Sequence, residues 1–224
     1  MYKLRDKIHV ALIEDHTIVR DGIRKVLEQE EDIQVVGEAS SGEQGYQLAI
    51  SEQPNVVIMD LSLPGMSGLE TTRKIISRLS NVNVLVLTMH ENALQAERAI
   101  QAGAKGYMTK SSDMDSVVEA IRAVASGKVF LDQKIASELA ILKMSGGGSP
   151  LSSLSPREFE IFKLVSSGMR TDEVADTLSL TSKTVSNYVS QIKNKLSINT
   201  TAEMVHLALE HGILPDSVNS SQLP

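Results

Sequence analysis

The chain of 224 residues contains no cysteine, which excludes disulfides, thiolate metal sites and cysteine nucleophiles. That absence suits a reducing compartment, so a cytoplasmic location is the expectation. Long apolar runs are missing as well. The first residues, MYKLRDKIHVALIED, turn charged too soon for a signal peptide or a membrane span, so no membrane partner is expected. The hydrophobic fraction, 42%, is ordinary for a globular protein, and only 3% of the chain is aromatic. Neither half is basic: the net charge of −6 divides into −4 for residues 1–150 and −2 for residues 151–224. Acids are nonetheless absent from Thr177 to Ala202, where Lys183, Lys193 and Lys195 give +3. A local stripe of this kind is what phosphate contact requires, and a global charge does not report it.

The first 127 residues alternate strand and helix signals. Apolar, β-branched runs lie at 8–13, 33–36, 55–59 and 82–87, with a shorter one at Gly106-Tyr107-Met108. Helix-like stretches near 17–30, 42–52, 68–79, 92–102 and 113–126 separate and follow them. Strands apolar along their whole length are buried on both faces, which predicts a parallel sheet of five strands covered by helices. Asp132–Met144 has helical spacing, with Ile135, Leu139 and Leu142 on one face. Ser145-Gly146-Gly147-Gly148-Ser149-Pro150 then reads as a flexible hinge. Beyond it every periodic segment is helical. Ser155-Pro156-Arg157-Glu158 is a capping box with proline at the first helical position. Thr171, Ser182 and Thr200 open three more short helices, the last ending near Gly212. The Ser-rich last ten residues read as a disordered tail.

In a doubly wound sheet, ligands bind beyond the carboxyl ends of the strands, where strand order reverses. Glu14-Asp15 follows the first strand and Asp60 the third. Three converging carboxylates repel one another unless a cation sits among them, and Mg²⁺, held by carboxylate and carbonyl oxygens, is the natural occupant. Thr88 ends the fourth strand and Lys110 follows the fifth, so a hydroxyl and an ammonium reach the same crevice. Together these groups can hold a phosphoryl group on an aspartate: nucleophile, metal ligands, hydrogen-bond donor and charge partner. Taken singly, each has a bland reading, such as a solvated helix cap or a surface lysine. His16 and His90 flank the crevice and receive no role.

Glu14-Asp15, MDLSLPGMSG around Asp60, LTMH around Thr88 and GAKGYMTK ending on Lys110 resemble, in that order, the receiver domain of two-component response regulators. The resemblance covers roughly residues 8–127 and implies the flavodoxin-like fold. It implies that a sensor histidine kinase phosphorylates Asp60, and that Glu14, Asp15, Asp60 and the carbonyl of Ser62 bind Mg²⁺. It further implies that Thr88 and Lys110 contact the phosphoryl oxygens and that Tyr107 is the aromatic that changes rotamer with them. Pro64 and Gly68 match the turn after the acceptor. Glu14 stands where many receivers have Asp, which keeps the charge.

Within Ser182–Leu196, Val185, Val189, Ile192 and Leu196 recur at helical spacing as one apolar stripe, with Tyr188 beside it. Lys183, Ser186, Asn187, Ser190, Lys193 and Asn194 then point outward, a face without acid that suits phosphates and base edges. Ser179-Leu180-Thr181 is a turn of the length found in a helix-turn-helix. Any amphipathic helix has a polar face, however, and this one is only mildly basic. Residues 151–214 resemble the LuxR-type module that ends NarL/FixJ-type regulators. Ser-Lys-Thr-Val-Ser-Asn-Tyr and Leu-Ala-Leu-Glu-His-Gly are similar to the GacA/UvrY subgroup. The implied DNA contacts are Lys183, Thr184, Ser186, Asn187, Ser190 and Lys193. The family often has Lys where this chain has Asp172 and Ser186, and Arg near Thr201, so a shallower salt dependence is expected.

The expected architecture is thus a receiver over 1–130, a linker helix and Gly-rich linker over 131–150, a small all-α helix-turn-helix domain over 151–214, and a tail over 215–224. The expected activity is phosphorylation-controlled DNA binding rather than enzymatic turnover. Haloacid-dehalogenase-type phosphatases also use a strand-end Asp with Mg²⁺, but they need a second acid two residues on, where this chain has Ser62. A receiver whose C-terminal domain binds protein instead of DNA is the other alternative. Because one module offers few base-reading side chains, a homodimer on DNA is expected, with Val205 and Leu209 of the last helix as its seam.

Overall fold

The computed structural model describes residues 7–89, 91–144, 150–178 and 180–214. His90, Ser179, the expected glycine-rich hinge at 145–149 and the expected tail at 215–224 lie outside the described residues. Contacts divide the chain into two units that meet between Met144 and Ser145.

The first unit is an all-parallel sheet of order β2-β1-β3-β4-β5-β6. Its strands are β1 Ile8–Ile13, β2 Ile33–Ala39, β3 Val56–Met59, β4 Asn83–Thr88, β5 Gly106–Thr109 and β6 Phe130–Leu131. The expected five strands are therefore six. The sixth has only two residues, both half-buried, so it carries no periodic signal, and it forms because Phe130 and Leu131 pair in register with Gly106 and Tyr107. Between the strands lie α1 Thr17–Leu27, α2 Gly42–Glu52, α3 Gly68–Arg78, α4 Ala93–Gln101 and α5 Met114–Ala125. Alternate strand residues feed two cores, as the pleat requires. Val10, Leu12, Ile58 and Leu87 pack with Ile23 of α1 and Ile121 of α5. Ala11, Ile13, Met59, Val86 and Tyr107 pack with Ala49 of α2, Ile75 of α3 and Ala96 of α4. α6, Gln133–Met144, buries Ile135 and Leu139 in this second core, so the helix expected within the linker packs onto the receiver.

The second unit opens with a 3₁₀ turn, Pro150–Ser153, followed by α7 Pro156–Ser166, α8 Thr171–Thr177, α9 Ser182–Leu196 and α10 Thr201–Glu210. Its starts are the expected ones. Ser155 accepts the Glu158 backbone N–H while the Glu158 carboxylate accepts that of Ser155, and Thr181 and Thr200 cap α9 and α10. Phe159, Phe162, Val174, Val185, Ile192, Leu196, Met204 and Ala208 form its interior.

Candidate functional site

The strand register builds the receiver pocket. Ile13 is opposite Met59, and Thr88 is opposite Thr109, so the residues just past these ends are neighbours. The Asp60 N–H donates to Ile13 O at 2.9 Å and the Lys110 N–H to Thr88 O at 2.8 Å. Glu14 and Asp60 are each only 2% exposed. The Lys110 ammonium lies 2.5 Å from Glu14 Oε2 and 2.8 Å from Asp60 Oδ2 and answers both charges. Burial works against that ammonium, but its hydrogen bonds to Asp60 and Glu14 outweigh the effect and raise its pKa. Ser62 donates its backbone N–H to Asp60 Oδ1 at 3.2 Å.

Thr88 and Tyr107 are fully buried. Burial first, and then the nearby Asp60 charge, push the Tyr107 phenol far above its usual range. The loop after Asp60 is tight. A Cβ on Gly68 would fall 1.9 Å from the Asp60 carbonyl oxygen, and Gly65 has φ +72°. Glu43 of α2 accepts the Met66 N–H at 2.9 Å and pins this loop, a role the sequence did not announce.

Glu14, Asp15, His16 and Asp60 each offer a ligand atom, all within 4.8 Å of one another. Asp15 Oδ1 is buried and accepts no hydrogen bond, which leaves an anionic oxygen for a cation to meet. The three carboxylates of this set fit a hard divalent ion. Sequence reasoning gave His16 no role, yet its Nδ1 lies 2.8 Å from Asp15 Oδ1 and 3.3 Å from Glu14 Oε1. His90 lies outside the described residues.

On α9, Val185, Ile192 and Leu196 are buried, and Val189 and Tyr188 are half-buried. Lys183, Ser186, Asn187, Ser190 and Asn194 are exposed, and Thr184 and Lys193 are half-buried. Ser186 and Ser190 donate their hydroxyls to the carbonyls of Ser182 and Ser186, at 2.9 and 3.1 Å, so outward they present oxygen acceptors. Thr184 Oγ1 is 2.9 Å from the Thr181 hydroxyl. Lys195, one of the three cations of the stripe, turns to the buried Glu158 at 2.7 Å. Lys183 and Lys193 form no ion pair among the described residues. Asp172 pairs with Arg170 at the start of α8.

Residues 10–122 match the family described as the response regulator receiver domain, and residues 152–208 match bacterial regulatory proteins of the luxR family. The chain is 41% identical over 218 residues to the response regulator UvrY of Escherichia coli, covering 96% of this chain and all of that protein. It is 39% identical over 209 residues to GacA of Pseudomonas aeruginosa, covering 92% and 98%. Among solved structures it is similar to RcsB from Salmonella enterica serovar Typhimurium bound to promoter rprA with a phosphomimetic, with a TM-score of 0.64 and 26% identity over 90% of this chain and 98% of that one. Two matched segments in this order, together with relatives aligned almost end to end, make the chain a member of the response regulators that carry a receiver domain followed by a LuxR-type helix-turn-helix domain.

Proposed function

We propose that this protein is a cytoplasmic, phosphorylation-controlled transcription regulator, in which Asp60 accepts a phosphoryl group from a sensor histidine kinase and thereby controls DNA binding by the C-terminal domain. The observation that carries the reading is the buried Asp60 carboxylate held 2.8 Å from the Lys110 ammonium beside the Glu14–Asp15 pair. A carboxylate so placed is a nucleophile whose attack leaves a phosphoryl group next to a cation. One Asp60 oxygen attacks phosphorus and the bond to the donor nitrogen or oxygen breaks. Lys110 transfers its contact from Asp60 to the new phosphoryl oxygens, and the Thr88 hydroxyl donates to another. Mg²⁺, held by Glu14, Asp15, Asp60 and the Ser62 carbonyl, would supply charge neutralisation for the phosphoryl oxygens. Gly68 keeps the Asp60 loop close, and Tyr107 takes the rotamer that the moved Thr88 allows. This chemistry modifies the protein itself, so the protein acts as a switch and not as a hydrolytic enzyme.

The receiver, 1–130, acts through the segment 131–150 on the domain 151–214, freeing it or pairing it. Lys183 and Lys193 contact phosphates, while Thr184, Ser186, Asn187 and Ser190 face base edges or the backbone. A homodimer binds through α10. Met204 and Ala208 of that helix are buried in their own domain, whereas Val205 is half-buried and Leu209 is 37% exposed, which leaves an apolar pair for a second copy. Labelling with radioactive acetyl phosphate and Mg²⁺ tests the assignment. The wild type takes up one phosphoryl group and Asp60→Asn none; equal labelling of the two contradicts it.

A further inference from the structure

His16 is an unusual residue for the place it holds. It is the N-cap of α1, where Ser, Thr, Asp or Asn normally satisfies an unpaired backbone N–H, and its side chain makes no cap hydrogen bond. The ring turns instead toward the acidic pair. Nδ1 is 3.3 Å from Glu14 Oε1 and 2.8 Å from Asp15 Oδ1, yet Asp15 Oδ1 accepts no hydrogen bond, so this closer contact lies outside hydrogen-bond geometry. The His16 backbone N–H also holds Glu14 Oε1 at 3.1 Å. Neighbouring ligands of an octahedral ion with bonds of about 2.1 Å are themselves roughly 3 Å apart. Nδ1 therefore stands to the two carboxylate oxygens as one vertex of a coordination shell stands to the others. All four donors, including Asp60, fall within 4.8 Å of one another.

We propose that His16 Nδ1 is a ligand of the divalent cation in this pocket, so that the site selects first-row transition ions such as Mn²⁺ or Co²⁺ over Mg²⁺. The inference rests on the reading of the pocket as a metal-dependent phosphoryl site. Imidazole nitrogen favours first-row transition ions, whereas an all-oxygen shell suits Mg²⁺. Coordination uses the Nδ1 lone pair, so Nδ1 gives up its hydrogen bond to Glu14, its proton leaves to solvent, and the neutral ring bound to the metal carries its proton on Nε2. Arg20, which donates to the Glu14 backbone carbonyl at 2.7 Å, holds the segment that carries all three N-terminal donors.

The full-length protein and two variants decide the matter, with Mn²⁺ and Mg²⁺ as the probes. Pulsed electron paramagnetic resonance of bound Mn²⁺ reads nitrogen coupling directly, and calorimetry gives both dissociation constants. The wild type shows ¹⁴N coupling. His16→Ala, a substitution at a side chain that caps nothing, removes the coupling and weakens Mn²⁺ about tenfold while shifting Mg²⁺ less than about threefold. Absence of ¹⁴N coupling in the wild type, its persistence in His16→Ala, or equal weakening of the two ions overturns the ligand role. Asp60→Asn separates the underlying reading, because it weakens both ions whatever His16 does. If it weakens neither, the metal pocket itself is wrong and the proposal falls with it.

Discussion

The Lys110 ammonium lies within 3 Å of two carboxylates that are each only 2% exposed, whereas Lys183 and Lys193 on the outer face of α9 form no ion pair among the described residues. The two regions obey different rules. In the pocket, strand register brings Glu14, Asp60 and Lys110 together, and the burial of the two carboxylates makes their interaction with the ammonium strong. On the proposed DNA-contacting face of α9, Lys183 and Lys193 are at the surface, so their interactions are small and screened by salt, and the affinity proposed for this face is a sum over several modest contacts.

Lys110→Ala breaks this contrast most severely. Without a divalent cation, the buried Glu14 and Asp60 carboxylates lose the ammonium they share, and the receiver loses on the order of 3 kcal/mol. Saturating Mg²⁺ recovers much of that, Asp60 still takes up phosphate, and the phosphorylation-dependent gain in DNA binding is lost. Thermal melts with and without Mg²⁺, followed by DNA titration, check all three outcomes. Gly68→Ala comes next. The added Cβ would meet the Asp60 carbonyl oxygen at 1.9 Å, so backbone must shift, with a cost of about 1–3 kcal/mol and slower labelling by acetyl phosphate.

The Glu158–Lys195 pair sharpens the comparison from the other side, as a pocket-like contact inside the DNA-binding domain. Burial works to raise the Glu158 pKa, but the hydrogen bonds from Lys195 and Ser155 prevail and hold it below the ordinary value. A depressed carboxylate stabilises the fold fully above its unfolded pKa of about 4.5, and the contribution disappears as pH falls through the folded value. The melting temperature of the C-terminal domain therefore falls on acidification to pH 3, and Glu158→Gln flattens that part of the profile. The smallest effects belong to α9. Lys183→Ala and Lys193→Ala each lower the slope of log affinity against log salt by about 0.9, and neither changes the melting temperature. An unchanged slope in both removes them from the phosphate contacts.

The same contrast explains what the sequence could reveal. Glu14, Asp60, Thr88 and Lys110 sit at the ends of apolar runs, and a parallel sheet brings such ends together, so the pocket was legible from spacing. α9 was equally legible as a helix with one apolar stripe. Other features depend on partners distant in sequence. β6 exists only through its pairing with β5, and α6 joins the receiver core through Ile135 and Leu139. Lys195 looked like part of the basic stripe until Glu158, 37 residues earlier, was found to hold it. His16 looked like a surface residue because its signal, a poor capping residue placed directly after two acids, is visible only beside the geometry of α1.

The central claim is that a phosphoryl group on Asp60 controls binding at α9, and it is tested most directly by measuring affinity for a promoter fragment at fixed salt. Four samples suffice: wild type and Asp60→Asn, each with and without acetyl phosphate and Mg²⁺. The account predicts that only the wild type tightens on phosphorylation and that Asp60→Asn stays at the unphosphorylated affinity under both conditions. Equal affinities for all four samples, or an equal gain in the mutant, would contradict it.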